Sequence, residues 1–112
     1  MDYQISKTIK ETETIKFVIR DNDKVMGQAY LHVIYNDTHK EPYGLFADIV
    51  VDENFRGKGL GSQLVRAVIE EAKKIGCYKL IATVRIGKEE VRAWYEKFGF
   101  KNHGVELRMD FM

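Results

Sequence analysis

Val51-Asp52-Glu53-Asn54-Phe55-Arg56-Gly57-Lys58-Gly59-Leu60-Gly61-Ser62 joins an apolar, β-rich run to a long amphipathic one. Glycines without a Cβ let the backbone curl tightly, so successive N–H groups can converge on one point at the positive end of the following helix. Such a strand–turn–helix junction is built to hold an anion, and the side chains of Arg56 and Lys58 add formal positive charge to it.

Spacing separates the loops that could do this. A Walker loop needs four residues between its first glycine and a Gly-Lys-Ser/Thr; here Lys58 precedes Gly59 and Ser62 directly follows Gly61, so it does not match. The dinucleotide fingerprint G-x-G-x-x-G fails as well, because Gly57-Lys58-Gly59-Leu60-Gly61-Ser62 places its third glycine one position early.

Upstream of the loop, Ile15, Phe17 and Ile19 alternate from Thr14 to Arg20, the period of a half-buried strand. Asp21-Asn22-Asp23-Lys24 supplies a turn, and Val25 to Tyr35 returns as a second strand of an antiparallel hairpin, with Gly27 a bulge or close-approach site. The first dozen residues add a further candidate strand. Asn36 to Pro42 is polar and contains the sole proline, a surface loop before the buried strand Tyr43 to Val51.

Downstream, Leu60, Leu64, Val65, Val68, Ile69, Ala72 and Ile75 recur at helical spacing up to Gly76. Tyr78 to Val84 reads as a core strand, and Lys88 to Phe98 as a second helix closed by Gly99. From Phe100 the chain returns to strand: Val105, Leu107, Met109 and Phe111 share one face and Glu106, Arg108 and Asp110 the other, with a hairpin expected around His103-Gly104. The order is three strands, helix, strand, helix, two strands. It describes one α/β-type domain over residues 1–112, with a mixed sheet, because helices between strands require crossovers while the hairpins are antiparallel.

A chain of 112 residues can bury one core, and 45% apolar with 31% charged residues is an ordinary globular composition. Eighteen Lys and Arg against seventeen Asp and Glu leave a net charge of +1, without the basic footprint of a nucleic-acid binder. No apolar run approaches the ~20 residues that span a bilayer, and the N-terminus has no signal-type apolar region. Cys77 has no second cysteine to pair with and reads as a packing residue in a reducing, cytoplasmic setting. One Cys and three scattered His offer no metal-ligand spacing.

Arg56-Gly57-Lys58-Gly59-Leu60-Gly61 resembles the acetyl-CoA pyrophosphate loop of the GNAT N-acetyltransferase superfamily: Arg or Gln, two residues, Gly, one residue, Gly or Ala. Trp94-Tyr95-Glu96-Lys97-Phe98-Gly99-Phe100 is similar to the block that closes that family's second core helix. The two stand in order with a helix and a strand between them, and the resemblance runs from about Thr14 to Phe111. It implies a GNAT-like fold, a mixed and mostly antiparallel sheet with about two helices, and transfer of an acetyl group from acetyl-CoA to an amine by direct attack in a ternary complex.

The resemblance further implies that Ile49, Val50 and Val51 lie where the sheet splays and pair with the pantetheine arm. Backbone amides from Arg56 through Gly57, Lys58, Gly59, Leu60, Gly61 and Ser62 would hold the pyrophosphate, and an amide near Ile49 or Val50 would polarise the acetyl carbonyl. Tyr95 is the expected general acid toward the CoA thiolate, since a phenol of pKa ~10 stays protonated at neutral pH; its competing reading is a packed aromatic beside Trp94. Asp48 is the candidate base or amine-orienting group, against a surface ion pair. His32, His39 and His103 are ordinary hydrogen-bonded or solvated histidines by default.

Two departures limit the transfer of roles. Lys88 stands where relatives commonly carry Asn. No counterpart of the family's two N-terminal helices precedes Thr14, so the acceptor groove is expected to be open or to be completed by a second subunit, as in a homodimer. The acceptor, small molecule or protein, stays open. A CoA-binding module with little transfer is the alternative, and a nucleotide-phosphate binder an unrelated one. No metal, nucleic-acid or membrane partner is expected.

Overall fold

The computed structural model describes residues 3–85 and 87–112. Four strands and two helices succeed one another: β1 (Glu13–Asp21), β2 (Lys24–Ile34), β3 (Tyr43–Val51), α1 (Leu60–Ile75), β4 (Leu80–Ala82) and α2 (Glu89–Glu96). They form one mixed sheet in the order β1-β2-β3-β4, antiparallel except for the last pair.

The hairpin between β1 and β2 turns at Asn22, whose φ of 56° is a conformation that Asn tolerates better than most residues. Its register slips between Ile19 and Arg20, leaving Met26 as an extra residue beside Gly27. Gly27 is also a close approach: an added Cβ would lie 3.2 Å from Leu64 Cδ1 and 3.3 Å from the Val50 carbonyl oxygen. Both readings of that glycine therefore hold.

Alternation on β2 sends Ala29, Leu31 and Val33 into the core, where Phe46 of β3 joins them. Leu64, Val65, Val68 and Ala72 form the matching stripe of α1, and Tyr95 is the buried residue of α2. Gly76 ends α1 at φ 95°, and the Cys77 amide returns to the Ala72 carbonyl at 3.0 Å, a cap that only a residue at ease with positive φ completes well. Cys77 packs against the core, and burial raises its thiol above the ordinary value, as suits a packing residue.

Three expectations fail. Residues 3–12 form neither helix nor strand, residues 1 and 2 lying outside the described ones. The strand expected over Tyr78 to Val84 contracts to Leu80–Ala82, the residues in register with Gly44, Leu45 and Phe46 of β3; just before it the Lys79 carbonyl accepts the Gly44 amide at 2.9 Å, and beyond Ala82 the pairing with β3 ends. Residues 101–112 form no strand and no hairpin, although the apolar alternation is present; the Asn102 side chain accepts the Gly104 amide at 3.2 Å and the segment runs on exposed. Alternation makes a strand possible, but a ladder needs a partner edge. Among the described residues no helix is long and apolar enough to cross a membrane.

Candidate active site

Two adjoining clefts lie along β3 and α2. The first, about 210 Å³, is lined by Val51, Phe55, the turn residues Arg56, Gly57 and Gly59, the start of α1 (Leu60, Gly61, Ser62), and Trp94. Asp52 holds the turn that leads into the loop, accepting the Asn54 amide on Oδ1 and the Phe55 amide on its carbonyl, both at 2.9 Å. Arg56 Nε donates to the Val51 carbonyl at 3.2 Å, tying the turn back to the strand end.

Gly57 and Gly59 both have φ of 80°, which any side chain would strain. Gly61 is helical and serves space instead: an added Cβ would touch Trp94 Cζ2 at 3.5 Å. Gly59 offers no side-chain cap, α1 has no acidic residue in its first turn, and its first intrahelical bond is from the Gln63 amide to the Gly59 carbonyl. The amides of Leu60, Gly61 and Ser62 thus precede the ladder at the positive end of the helix, an arrangement that fits a diphosphate. Lys58 lines neither cleft; its Nζ stands 5.5 Å from the Phe55 ring centroid, with Lys24 Nζ at 5.1 Å.

The second cleft, about 410 Å³, opens where β3 and β4 part. Their parallel ladder stops at Phe46 and Ala82, whereas β3 continues to Val51. Asp48 and Ile49 together oppose Ala29 between the Tyr30–Ala47 and Gln28–Val50 pairs, a bulge at which Asp48 takes φ 52°. The bulge turns the strand at the point where its β4 side is unladdered. Phe46, Asp48 and Ile49 form one wall; Thr83, Val84 and Arg85 face them, and Lys88, Val91 and Tyr95 close the cleft. The Val50 side chain is exposed and lines neither cleft, so only its backbone is available there.

Tyr95 is 6% exposed, its ring edge-on to Phe46, Trp94 and Phe100 at 5.9, 5.1 and 5.5 Å between centroids. Burial raises its phenol pKa above the ordinary 10.0, so the group holds its proton through the neutral range. Packing and lining the cleft are both true of Tyr95. Asp48 is exposed on the same cleft and, among the described residues, makes no ion pair, against the surface-pair reading.

The histidines are elsewhere. His32 Nδ1 meets Thr14 Oγ1 at 2.9 Å, His39 stacks on Tyr78 at 3.6 Å and pairs with Glu41, and His103 is exposed. Sequence reasoning missed Thr83, Val84, Arg85 and Trp94 as lining residues. No local pattern marks Thr83, Val84 and Arg85, because the parting of two strands puts them there; Trp94 heads the block that runs to Phe100, and the approach of α2 is what brings it to the first cleft.

A family profile described as acetyltransferase (GNAT) family matches residues 1–100. The chain belongs to this family. Among curated GNAT relatives, a probable glucosamine 6-phosphate N-acetyltransferase 2 of Oryza sativa is 44% identical over 68 residues, 61% of this chain and 39% of that protein. A glucosamine 6-phosphate N-acetyltransferase of Trypanosoma brucei is 39% identical over 95 residues, 84% of this chain and 63% of its own length. This GNAT chain therefore spans between about two fifths and two thirds of these relatives. A solved putative acetyltransferase from Agrobacterium tumefaciens superposes with a TM-score of 0.79 at 31% identity, covering 87% of this chain and 68% of that one.

Proposed function

We propose that this GNAT chain transfers an acetyl group from acetyl-CoA to the primary amine of a small, anionic acceptor, with glucosamine 6-phosphate the first candidate. The carrying observation is the adjacency of the two clefts: Val51 and Trp94 line the one at the start of α1, Ile49 and Tyr95 the splayed one. A diphosphate on the α1 amides would let the pantetheine arm run along the unladdered side of β3, its amides taking the place of the absent strand. The thiol end then falls in the cleft that holds Asp48 and Tyr95.

In the reaction the neutral amine forms a C–N bond to the thioester carbonyl carbon and the C–S bond breaks. A β3 amide near Ile49 or Val50 stabilises the developing oxyanion. The Tyr95 phenol donates its proton to the leaving sulfur, and the proton lost by the amine restores it through solvent. Asp48 orients the acceptor ammonium and helps to remove its proton. No covalent enzyme intermediate is required.

Three features support the acceptor class. The curated relatives above carry that activity in their names. Arg85 and Lys88 stand at the cleft, and among the described residues neither is in an ion pair. Asp48 supplies the opposite charge on the facing wall, so an acceptor with an amine at one end and a phosphate at the other finds a complement for each.

The test is thiol release from acetyl-CoA with glucosamine 6-phosphate, with glucosamine and with a panel of other amines. Release with the sugar phosphate above that with glucosamine is expected. Thermal stabilisation by CoA without release from any amine would instead identify a CoA-binding module, and stabilisation by ATP but not CoA would overturn the loop assignment.

A further inference from the structure

We infer that Lys88 is itself an acetyl acceptor: with no amine bound, the chain passes the acetyl group of acetyl-CoA to its own Lys88 Nζ and so cancels one of the two cations that face the acceptor's phosphate. The inference rests on the proposed acetyl transfer and adds a modification site to it.

Among the described residues Lys88 is the one lysine that lines either cleft, and its cleft is the one that holds Asp48, Ile49 and Tyr95. Its backbone is held on both sides: the Lys88 amide donates to the Arg85 carbonyl and the Arg92 amide to the Lys88 carbonyl, each at 3.1 Å. The exposed side chain, by contrast, is free to swing. Lys88 is the N-cap of α2, where an ammonium has no lone pair to offer the helix amides, and no cap bond forms. The adjacent Glu89 is engaged by Arg92 at 2.6 Å. Lys10 pairs with Asp37, and Lys16, Lys24, Lys58 and Lys79 stand over aromatic rings. Among the described residues Lys88 has no such engagement.

Tyr95 lies two helical turns beyond Lys88, about 10.5 Å along the axis and on the same face. Side chains of a helix lean toward its N-terminus, so the Tyr95 ring tilts back toward the Lys88 end. Asp48 lines the facing wall. A nucleophile, a proton acceptor and a proton donor thus share one cleft, and the nucleophile is tethered there on a long flexible stem, which makes its attack unimolecular once the thioester is bound. Arg85, the other cation of the cleft, keeps its proton and cannot compete.

In the step, Lys88 gives up a proton through Asp48 to solvent, and neutral Nζ forms a C–N bond to the thioester carbonyl carbon. The C–S bond breaks, its electron pair goes to sulfur, and sulfur takes the Tyr95 proton, which solvent restores. The products are N-acetyl-Lys88 and the CoA thiol, with no further reactant. The amide carries no charge, so Arg85 alone is left to meet the phosphate.

The experiment follows the full chain by intact-mass spectrometry with acetyl-CoA and no acceptor, and maps the modified residue. One acetyl group on Lys88 is expected, at a rate per chain that does not change on dilution of the protein. Tyr95→Phe should slow it about 10²-fold, and Lys88→Arg should abolish it while keeping the positive charge. KM of the acetylated chain for glucosamine 6-phosphate should rise about 3–10-fold over that of the unmodified chain. Acetylation of Lys88 no faster than that of the exposed Lys73 and Lys74 overturns the inference, since it would be chemical acetylation alone. So does a rate proportional to protein concentration, which would mean transfer between copies. Turnover on glucosamine 6-phosphate with Lys88 unmodified overturns the inference and leaves the proposed function standing, whereas absence of coenzyme binding in calorimetry overturns both. Site mapping on the wild-type chain decides even if a variant fails to fold.

Discussion

Tyr95 meets Phe46 edge-on, 5.9 Å between ring centroids at 84°, so α2 is packed onto β3 at the last residue before that strand parts from β4. The residue proposed as proton donor is therefore also a wedge at the origin of the cleft. Tyr95→Phe keeps the ring and removes the hydroxyl. We expect turnover to fall by about 10²-fold or more with CoA affinity retained and stability altered by no more than about 1 kcal/mol. Calorimetry, chemical denaturation and steady-state rates read the three quantities, and undiminished turnover removes Tyr95 from the chemistry.

Burial raises the Tyr95 phenol above 10.0 and the Cys77 thiol above 9.0. Both groups are neutral when protonated, and the folded chain disfavours their ionised forms. Their contribution to stability is thus intact below those ordinary values and is lost as pH climbs through the raised ones. Unfolding free energy followed by denaturation should fall above about pH 9, and Cys77→Ala should lessen the early part of that fall. The rate should show no descending limb below about pH 10 from loss of the acid.

The glycines of the loop should separate by function. Gly59→Ala forces a side chain into φ 80° and should cost about 1–2 kcal/mol while weakening CoA binding. Gly61→Ala adds a Cβ at ordinary contact distance from Trp94 and should leave stability unchanged or raise it by up to about 1 kcal/mol. Equal losses at both positions in denaturation and binding titrations would contradict this division.

Arg56 both carries charge and holds the Val51 carbonyl through Nε. Arg56→Glu should weaken CoA binding by about 10–100-fold, and Arg56→Lys by less, since the charge survives while the Nε bond does not. An unaltered dissociation constant in the Glu variant would detach the first cleft from the coenzyme.

Replacing Arg85 and Lys88 together by Ala should raise KM for glucosamine 6-phosphate by about 10–100-fold and leave KM for glucosamine unchanged. A parallel rise for both acceptors would show that these cations do not read the phosphate.

Much of this was legible in the residues. β3 runs from Tyr43 to Val51 as its apolar content indicates, and α1 runs from Leu60 to Ile75 because its stripe and Gly76 set both face and end. The loop glycines were readable because positive φ and close approach are properties of single positions. Residue order alone therefore determined the types of β1, β2, β3, α1 and α2, the glycine-rich strand-to-helix junction and the candidate roles of Tyr95 and Asp48, while it placed strands at both chain ends that do not form. Tertiary structure decided where β3 and β4 part, that Asp48 sits on a bulge, that Arg85 and Trp94 line the clefts, and that residues 101–112 pair with no strand among the described residues. Each of these depends on which backbone groups remain unladdered after folding. Local periodicity carries the capacity to form a strand, whereas pairing is a relation between distant segments.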